Sequence, residues 1–505
     1  MIESIETIRP VLTLLCPLTA AVFITIFRNH PNLRESSTLV ASVAQFLVVL
    51  SMLLIVKDLD GGVLRCTLFT MLPNVDLAFK IDAFGLLFAI TTASLWILVS
   101  SYSIGYMRSL HEHAQTRYYF FFAFAILGAE GVAMSANLFT MFVFYEILTV
   151  STYPLVAHDQ TEEALFAGRK YLAYLITSGV FFLAAALLTY SFVGTTDFTN
   201  GGILTVDAAS RSALTVLFFF FLLGFLKAAW MPFHSWLPTA MAAPTPVSAL
   251  LHAVAVVKAG VFGIVRIVCY IYGVDLMSEL GLGLALATIA GFTMIAASLF
   301  AIAQDNLKRR LAYSTISQLS YILFGVSLLS PMGITGAMLH IPFHGFMKIT
   351  LFLCAGSIMV ASGKKNISEM AGLGRVMPFT FFAFTIGALG MCGAPPACGF
   401  VSKWYLCLGT LEAGKLVLLA VILISSLLDV VYFFPIIYTA FFKTPKDVDV
   451  SLSEWKPKIK ESSPFMVVPL TLTALFSIIF CVPNPISNVI ISLAKIAVAS
   501  LGGGI

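Results

Sequence analysis

The sequence predicts an all-α, polytopic membrane protein with about fourteen transmembrane helices. Of its 505 residues, 59% are hydrophobic and only 11% are charged, whereas a soluble domain carries about 25% charged residues. Apolar runs long enough to cross ~30 Å of hydrocarbon recur along the whole chain. Two of these runs are broken by prolines close to a lysine, namely Pro232 near Lys227 and the pair Pro395 and Pro396 near Lys403.

Fourteen apolar runs define the predicted spans. Each has roughly the 18 to 25 residues that a helix needs to cross the hydrocarbon core. The seventh and twelfth runs are the broken ones. A further apolar stretch at 486–501 is short for a span and could extend the last helix. The runs are 9–27, 37–57, 83–105, 117–135, 137–157, 169–192, 213–240, 246–271, 283–303, 311–329, 334–360, 378–408, 415–442 and 462–481.

The order of the spans predicts two inverted five-helix repeats, spans four to eight and nine to thirteen. An odd number of helices per repeat places the second copy upside down in the membrane, and the broken helix is then the fourth of each copy. The repeat rests on topology and helix breaks, because the halves share no evident residue identity. The predicted domains are 1–110 (helices 1–3), 117–271 (first repeat), 283–442 (second repeat) and 443–505 (a cytoplasmic loop and the C-terminal helix).

Basic residues predict the orientation. Lys and Arg concentrate in the loops that follow odd-numbered spans, as at 308–310 and 364–375. Because such loops face the cytoplasm, we expect both termini on the non-cytoplasmic side of the cell inner (plasma) membrane. The charged loop at 443–461 is interpreted as a solvated connector or a docking surface.

Composition also excludes several classes of function. The net charge of +4 is dispersed, so we expect no nucleic-acid binding. The eight cysteines lie mostly in apolar runs without a CxxC pair, which predicts no metal or iron–sulfur ligation. His340 and His344 have zinc-site spacing, but Ile341 stands where a zinc protease needs glutamate, and no third ligand is evident. We expect no catalytic residue and no cofactor on this chain, which leaves open whether it belongs to an oxidoreductase complex.

Titratable side chains inside the spans are the candidate functional residues. A charge near the bilayer centre costs about 2.5–3.5 kcal/mol on insertion scales, so such residues usually face water or a partner charge and mark an ion or proton route. Asp429 is a possible member or only a local pair, and His234 a possible path exit or only polar. The main set is Glu146, Lys227, His252, Lys258, His340, His344, Lys348 and Lys403.

Spacing and chemistry together suggest proton transfer along this set. His340, His344 and Lys348 recur every four residues, so they share one helix face over about 12 Å. Imidazole titrates near neutral pH, and a lysine removed from water loses the hydration that favours its charged form. If Lys227 alternates between pairing with Glu146 and isolation, it takes up and releases a proton. The alternative is a static ion pair that locks two helices.

Outside this set, Arg266 ends its apolar run. We interpret it as a structural side chain that reaches toward the membrane surface.

Five strings match a known family pattern over about residues 80–440. They resemble the antiporter-like subunits of respiratory complex I, membrane-bound hydrogenases and multisubunit cation/proton (Mrp) antiporters. The strings are LFTMFVFYEILTVSTYPLV, KAAWMPFHSWLPTAMAAPTPVSALLHAVAVVKAGVFGIVR, QDNLKRRLAYSTISQLSY, HIPFHGFMKITLFLCAG and PPACGFVSKWYL.

The resemblance implies fourteen helices and proton translocation along a central hydrophilic axis. It implies that Glu146 and Lys227 are the gating pair and Lys403 the terminal site, with Lys258 and the histidine face of the eleventh span connecting the halves. Some members carry glutamate at the position of Lys403, and residues 239–242 depart from an AHxE segment, which places the chain nearer to hydrogenase-like and Mrp-like relatives.

The partners implied are other membrane subunits, including related antiporter-like ones, together with protons and lipid. Two alternatives stay open. The chain could belong to a Na⁺/H⁺ antiporter without a redox partner, or it could be a structural paralogue that no longer conducts.

Overall fold

The structure is a computed structural model that describes residues 4–58, 62–445, 455 and 457–502. Most of the loop expected at 443–461, including Lys446 and Lys456, lies outside the described residues.

Nine of the described helices are long and apolar enough to cross a membrane. The helices are α1 (Arg9–Ile26), α2 (Pro31–Asp58), α3 (Ala83–Ser109), α4 (Gln115–Ala133), α5 (Leu138–Val156), α6 (Glu162–Val193), α7 (Arg211–Gly224), α8 (Trp236–Thr239), α9 (Thr245–Ala249), α10 (Val256–Arg266), α11 (Val274–Glu279), α12 (Leu282–Ile302), α13 (Leu307–Ser327), α14 (Pro331–Ser362), α15 (Leu373–Val376), α16 (Pro378–Cys392), α17 (Gly399–Glu412), α18 (Leu416–Phe442), α19 (Pro464–Ile479) and α20 (Pro485–Ala499).

These helices match the predicted spans in order. Helices α1 to α6 are the first six, the pairs α7–α8 and α16–α17 are the broken seventh and twelfth, and the α9–α10 pair is the eighth. Helices α12, α13, α14, α18 and α19 supply the rest. The predicted fold class is confirmed. The terminal stretch forms the separate helix α20, capped by the Asn484 side chain, and both α19 and α20 pack against α3 and α14.

Both predicted helix breaks are present. After α7 the chain makes a 3₁₀ turn at Leu226–Ala228 and then turns through Ala229, whose φ is 54°. After α16 it turns at Gly393, whose φ is 80°, before α17 begins. Lys227 lies just before the first break, and Lys403 lies just after the second. Each break frees backbone groups at mid-chain that require polar partners.

The eighth span is less regular than the sequence predicts. A π-helical turn at Leu250–Val254 joins α9 to α10, and a second one at Ile267–Tyr272 continues from α10. The first turn contains His252. Since π-helical turns leave the regular i→i−4 ladder, they occur often at functional sites.

A small β-sheet was not predicted. The strands β1 (Ser4–Glu6), β2 (Val63–Leu72) and β3 (Val75–Ile81) form a sheet in the order β1-β2-β3. β2 and β3 pair antiparallel around a turn at Asn74, whose φ is 59°, and β1 pairs parallel to β2. The sequence signal was a Pro-Asn turn between two runs rich in β-branched and aromatic residues.

Arg266 has the structural role that we expect, but its side chain is buried inside the protein and does not extend to the membrane surface. Its side chain is 1% exposed, and its two terminal nitrogens donate to both carboxylate oxygens of Asp82, at 2.5 and 2.7 Å. Asp82 also caps α3 by accepting from the Gly85 amide. The guanidinium lies 4.5 Å from the centre of the Tyr270 ring. Two hydrogen bonds to the carboxylate and contacts with aromatic rings stabilise the guanidinium inside the protein, so it does not require hydration at the membrane surface.

We expect Asp82→Asn to lower the stability of the protein by about 2 kcal/mol, because a hydrogen bond to a charged group contributes about 1.5–3 kcal/mol and the countercharge of Arg266 is lost. Thermal unfolding of the purified protein in detergent measures this. The control is Asp207→Asn at an exposed position. Equal melting temperatures for the two variants would contradict the structural role.

Candidate functional site

A row of buried polar side chains runs through the second half of the molecule from α10 to α18. Its members come from α10, α13, α14, α17 and α18, so five helices converge on it. Each side chain is buried. We call this row the central polar line and define it as Lys258, His344, His340, Gln318, Asp429 and Lys403.

One end of the line is a buried ion pair. Lys403 Nζ lies 2.7 Å from Asp429 Oδ2, and the two side chains are 6% and 0% exposed. The same ammonium donates to the Met391 carbonyl at 2.8 Å. That carbonyl belongs to the last turn of α16, where the helix break removes its usual partner. Asp429 also accepts from Gln318 Nε2 at 2.9 Å and from the Tyr432 hydroxyl at 2.5 Å. The break thus creates an acceptor for the lysine.

The middle of the line consists of imidazoles and amides. Gln318 Oε1 is 3.1 Å from His340 Nε2, and His340 Nδ1 is 2.9 Å from Ser402 Oγ. Lys258 Nζ is 2.7 Å from His344 Nδ1. The rings of His340 and His344 stack with their centroids 5.8 Å apart, and His344 Nε2 has no hydrogen-bond partner among the described residues. The line therefore has one gap, between the two rings, that a water molecule or a ring motion has to bridge.

Lys227 is 0% exposed and lies in the 3₁₀ turn after α7. Its ammonium donates to the Tyr145 carbonyl at 2.5 Å and lies 3.2 Å from the centre of the Tyr145 ring. Glu146 is the next residue on α5, and its Oε1 has no hydrogen-bond partner among the described residues. The lysine is near the expected carboxylate but is bonded to the neighbouring backbone.

Besides Lys227 and Glu146, the structure leaves three further candidate residues off the line. Lys348 donates to the Leu311 carbonyl at 3.1 Å and to the Ser314 hydroxyl, so it turns toward α13. His252 packs its ring on Phe352, and neither of its ring nitrogens has a hydrogen-bond partner among the described residues. His234 is half-buried beyond the first break and lies beside aromatic rings. Of the face on α14, only the two histidines join the line.

Two members of the site escaped the sequence analysis because they are uncharged. Gln318 bridges His340 to Asp429, and Ser402 holds the other nitrogen of His340. Amide and hydroxyl side chains are common in membrane helices, because their insertion costs little free energy when a neighbouring helix provides a hydrogen-bond partner. Their position on facing helices is a tertiary fact that no local pattern reveals.

Glu130 on α4 was also missed, although the rule that selected the other residues applies to it. It is 0% exposed, and neither carboxylate oxygen has a hydrogen-bond partner among the described residues. Burying an ionised carboxylate without a partner is far more costly than burying the neutral acid. We therefore expect Glu130 to be protonated.

Glu130→Gln should consequently leave the melting temperature nearly unchanged, with a stability change below about 1 kcal/mol, because the amide replaces a neutral group of similar size. Thermal unfolding in detergent measures this. Glu130→Leu is the comparison that tests whether any polar group is needed. A large loss of stability in the amide variant would show that the carboxylate is charged and paired.

A close helix contact positions Lys227. A Cβ on Gly260 of α10 would lie 2.3 Å from the Ala228 nitrogen and 2.6 Å from the carbonyl carbon of Lys227. Real Cβ atoms do not approach backbone atoms so closely, so α10 can lie against this turn only with glycine at that point.

We expect Gly260→Ala to destabilise the protein by about 1–3 kcal/mol, as overpacking does, and to displace Lys227. Thermal unfolding and proton flux in membrane vesicles are the readouts. The matched control is Gly291→Ala, where the nearest atom to the new Cβ is 3.4 Å away. Equal melting temperatures and equal proton flux in the two variants would contradict this, because they would show that the turn at Lys227 moves freely to accommodate the new Cβ.

A cavity of about 740 Å³ opens at one end of the helix bundle, where α3, α5 and α14 end and α9 and α13 begin. Thr245, the first residue of α9, is part of its wall. His252 is seven residues further, which is about 10 Å along a helix. The cavity therefore lies at the start of the eighth span, which carries His252 and Lys258. The charged lining residues include Glu112, Asp159, Lys308, Lys364 and Lys365.

Comparisons with known proteins identify the family of this chain. The family model described as NADH:quinone oxidoreductase/Mrp antiporter, TM matches residues 135–429. The NADH-quinone oxidoreductase subunit N of Desulforudis audaxviator is 32% identical over 373 residues, which are 73% of each chain. This chain belongs to the NADH:quinone oxidoreductase/Mrp antiporter transmembrane family. The resemblance inferred from the sequence is confirmed.

Other members of the family cover more of the chain. A putative antiporter subunit mnhA2 of Staphylococcus aureus is 30% identical over 453 residues, which are 84% of this chain and 55% of that longer relative. The fold matches a chain of the Mrp complex from Dietzia sp. DQ12-45-1b with a TM-score of 0.86, at 22% identity and 98% coverage of both chains. It also matches a chain of an archaeal membrane-bound sulfane sulfur reductase with a TM-score of 0.85, at 26% identity and coverage of 97% and 99%. The family match contains every member of the central polar line, whereas Glu130 lies outside it.

Proposed function

We propose that this chain translocates protons as an antiporter-like membrane subunit of a multisubunit complex. The observation that carries the proposal is the central polar line, a row of titratable or hydrogen-bonding side chains with a single gap. Lysine and imidazole groups can take up and release a proton, whereas the Gln318 amide only positions His340 and Asp429, so a proton passes Gln318 through water. The links of the line are 2.7 to 3.1 Å long.

The first half of the chain supplies the switch. Lys227 holds its ammonium against the Tyr145 carbonyl and ring, apart from Glu146. When Glu146 approaches, its charge favours the protonated lysine, and when it withdraws, the desolvated ammonium is free to give its proton to Lys258 through water. The cavity beside Thr245 supplies the water and the proton.

The second half supplies the exit. A proton that reaches His340 through His344 passes to Asp429 through water beside Gln318, and Asp429 already accepts from Lys403. Protonation of Asp429 would weaken this ion pair and release Lys403 to lose its own proton. The same two-state behaviour therefore appears in both repeats, with a carboxylate that controls a lysine at a helix break.

The chemistry of the line favours protons over Na⁺. Hard cations prefer several oxygen ligands, but the line consists mainly of nitrogen groups, and its one carboxylate is already paired with Lys403. The Mrp-related neighbours nevertheless make Na⁺ exchange the alternative that an ion-flux experiment has to test.

Location and partners follow from the same proposal. The distribution of Lys and Arg supports an orientation with both termini on the non-cytoplasmic side of the plasma membrane, in which the cavity near Lys308 and Lys364 faces the cytoplasm. The relatives carry the names of complex subunits, which supports assembly with other membrane subunits, including related antiporter-like ones. The chemistry that drives translocation resides on those partners, and we assign no cofactor to this chain.

The test is His344→Phe in the intact complex, because phenylalanine keeps the ring stack but cannot carry a proton. We expect proton uptake into membrane vesicles to fall by about 10²-fold, within the range that a positioned proton-transfer group contributes. Na⁺ uptake is followed in parallel. The control is His30→Phe at an exposed position. Normal proton flux in an assembled His344→Phe complex would refute the proposal, and coupled Na⁺ flux in the wild type would favour the antiporter alternative.

A further inference from the structure

Two loops meet at the cavity end of the bundle and bring together three metal-ligating side chains. Glu112 and His113 follow α3, and His158 follows α5. One ligand atom from each lies within 4.8 Å of the others. The two imidazole rings are 4.8 Å apart between centroids. None of these residues belongs to the central polar line.

His158 is the unusual member of this group. It is 0% exposed, and neither ring nitrogen has a hydrogen-bond partner among the described residues. Buried polar atoms are nearly always bonded, and each exception requires an explanation such as a missing ion or water. A buried imidazole nitrogen without a hydrogen-bond partner is available as a metal ligand.

His113 is oriented as metal-binding histidines are. Its Nε2 lies 3.0 Å from the His158 carbonyl, so this nitrogen donates to the backbone. Its Nδ1 faces Glu112 Oε2 at 3.8 Å. Ligating histidines commonly donate their second ring nitrogen to a carbonyl in this way. The Nδ1 atom and the carboxylate oxygen are therefore placed where one cation can bind both.

The surrounding charges are mixed. Asp159 follows His158 and adds a carboxylate close enough to interact with Glu112. Arg117 Nη2 donates to the His158 carbonyl at 2.8 Å. Lys308 and Lys365 also interact with Asp159, so the local charges nearly balance.

We propose that Glu112, His113 and His158 bind a divalent transition-metal cation of the zinc type. Two imidazoles and one carboxylate are a common zinc ligand set, with water as the fourth ligand. The half-exposed side chains of Glu112 and His113 move inward by about 1 Å to reach bond lengths near 2.1 Å. The expectation of no metal on this chain came from the lack of a CxxC pair and of a third ligand near His340 and His344, and no sequence pattern indicated these three residues. This site does not depend on the proposed proton path.

The test is titration of the purified full-length protein with Zn²⁺, and with Co²⁺ as a spectroscopic probe. We expect one Zn²⁺ site that His113→Ala and Glu112→Gln each weaken by at least about ten-fold, and Co²⁺ absorption typical of four-coordinate nitrogen and oxygen ligation. His158→Ala should abolish the site, and because His158 is buried its folding is checked by thermal unfolding without metal. The control is His111→Ala in the same loop.

Equal Zn²⁺ binding by the wild type, His113→Ala and Glu112→Gln would overturn the proposal. So would an equal loss of binding in His111→Ala, because it would place the ion elsewhere on the surface. Proton flux is not a readout of this test, so its outcome is independent of the proposed translocation function.

Discussion

Lys227→Met abolishes proton translocation while the protein still folds and assembles, and this is the largest functional effect that we expect. Methionine has a similar length and removes only the titratable ammonium. The stability of the Lys227→Met variant should equal or exceed that of the wild type. The cost of removing the ammonium from water offsets most of the free energy that its hydrogen bond to one carbonyl contributes. The rate should fall by about 10²-fold or more, as when a positioned proton-transfer group is lost.

Proton uptake into vesicles that contain the intact complex measures the effect of Lys227→Met. Lys495→Met, on the exposed face of α20, removes a lysine from the same chain without touching the path and should be silent. Unchanged flux in an assembled Lys227→Met complex would leave only the structural paralogue.

A second variant at the same position separates a switch from a static ion pair. Arginine keeps the positive charge but does not release its proton near neutral pH. If Lys227 merely holds two helices together through Glu146, Lys227→Arg retains flux. If it cycles between two protonation states, the arginine variant is as inactive as the methionine variant.

The lysines and histidines of the site could be selected from the sequence because their insertion cost does not depend on their neighbours. Any charge inside an apolar run is anomalous wherever the chain folds. Gln318 and Ser402 gave no such signal, because an uncharged polar residue is unremarkable until its partners are known. The fold itself was predictable from run lengths and helix breaks, which are local properties of the chain.

The failures have equally specific causes. Arg266 was assigned to the membrane surface because its partner Asp82 is 184 residues away, and sequence spacing does not reveal such a contact. The β2–β3 hairpin was missed because only membrane-length runs were sought between α2 and α3. The sequence does not reveal that the His158 ring is buried without a hydrogen-bond partner, because this depends on how the two loops pack in the folded protein.

Asp429→Leu should cause the largest loss of stability of any single substitution proposed for this chain, about 3–5 kcal/mol, because it leaves the buried Lys403 ammonium without a countercharge. The hydrogen bonds from Gln318 and Tyr432 would be lost as well. The melting temperature in detergent and the yield of assembled complex are the readouts. Asp275→Leu in the short helix α11, at an exposed position, is the control.

The double variant Lys403→Met with Asp429→Leu separates the contribution of the ion pair to stability from its role in proton transfer. Replacing a buried ion pair by apolar side chains of similar volume is often neutral or stabilising, so the double variant should recover most of the stability that Asp429→Leu loses. We expect no proton flux in the double variant, because the exit end of the central polar line then has no titratable group. Recovery of flux together with stability would show that Lys403 and Asp429 only hold α17 against α18, and the proton would have to leave by another route.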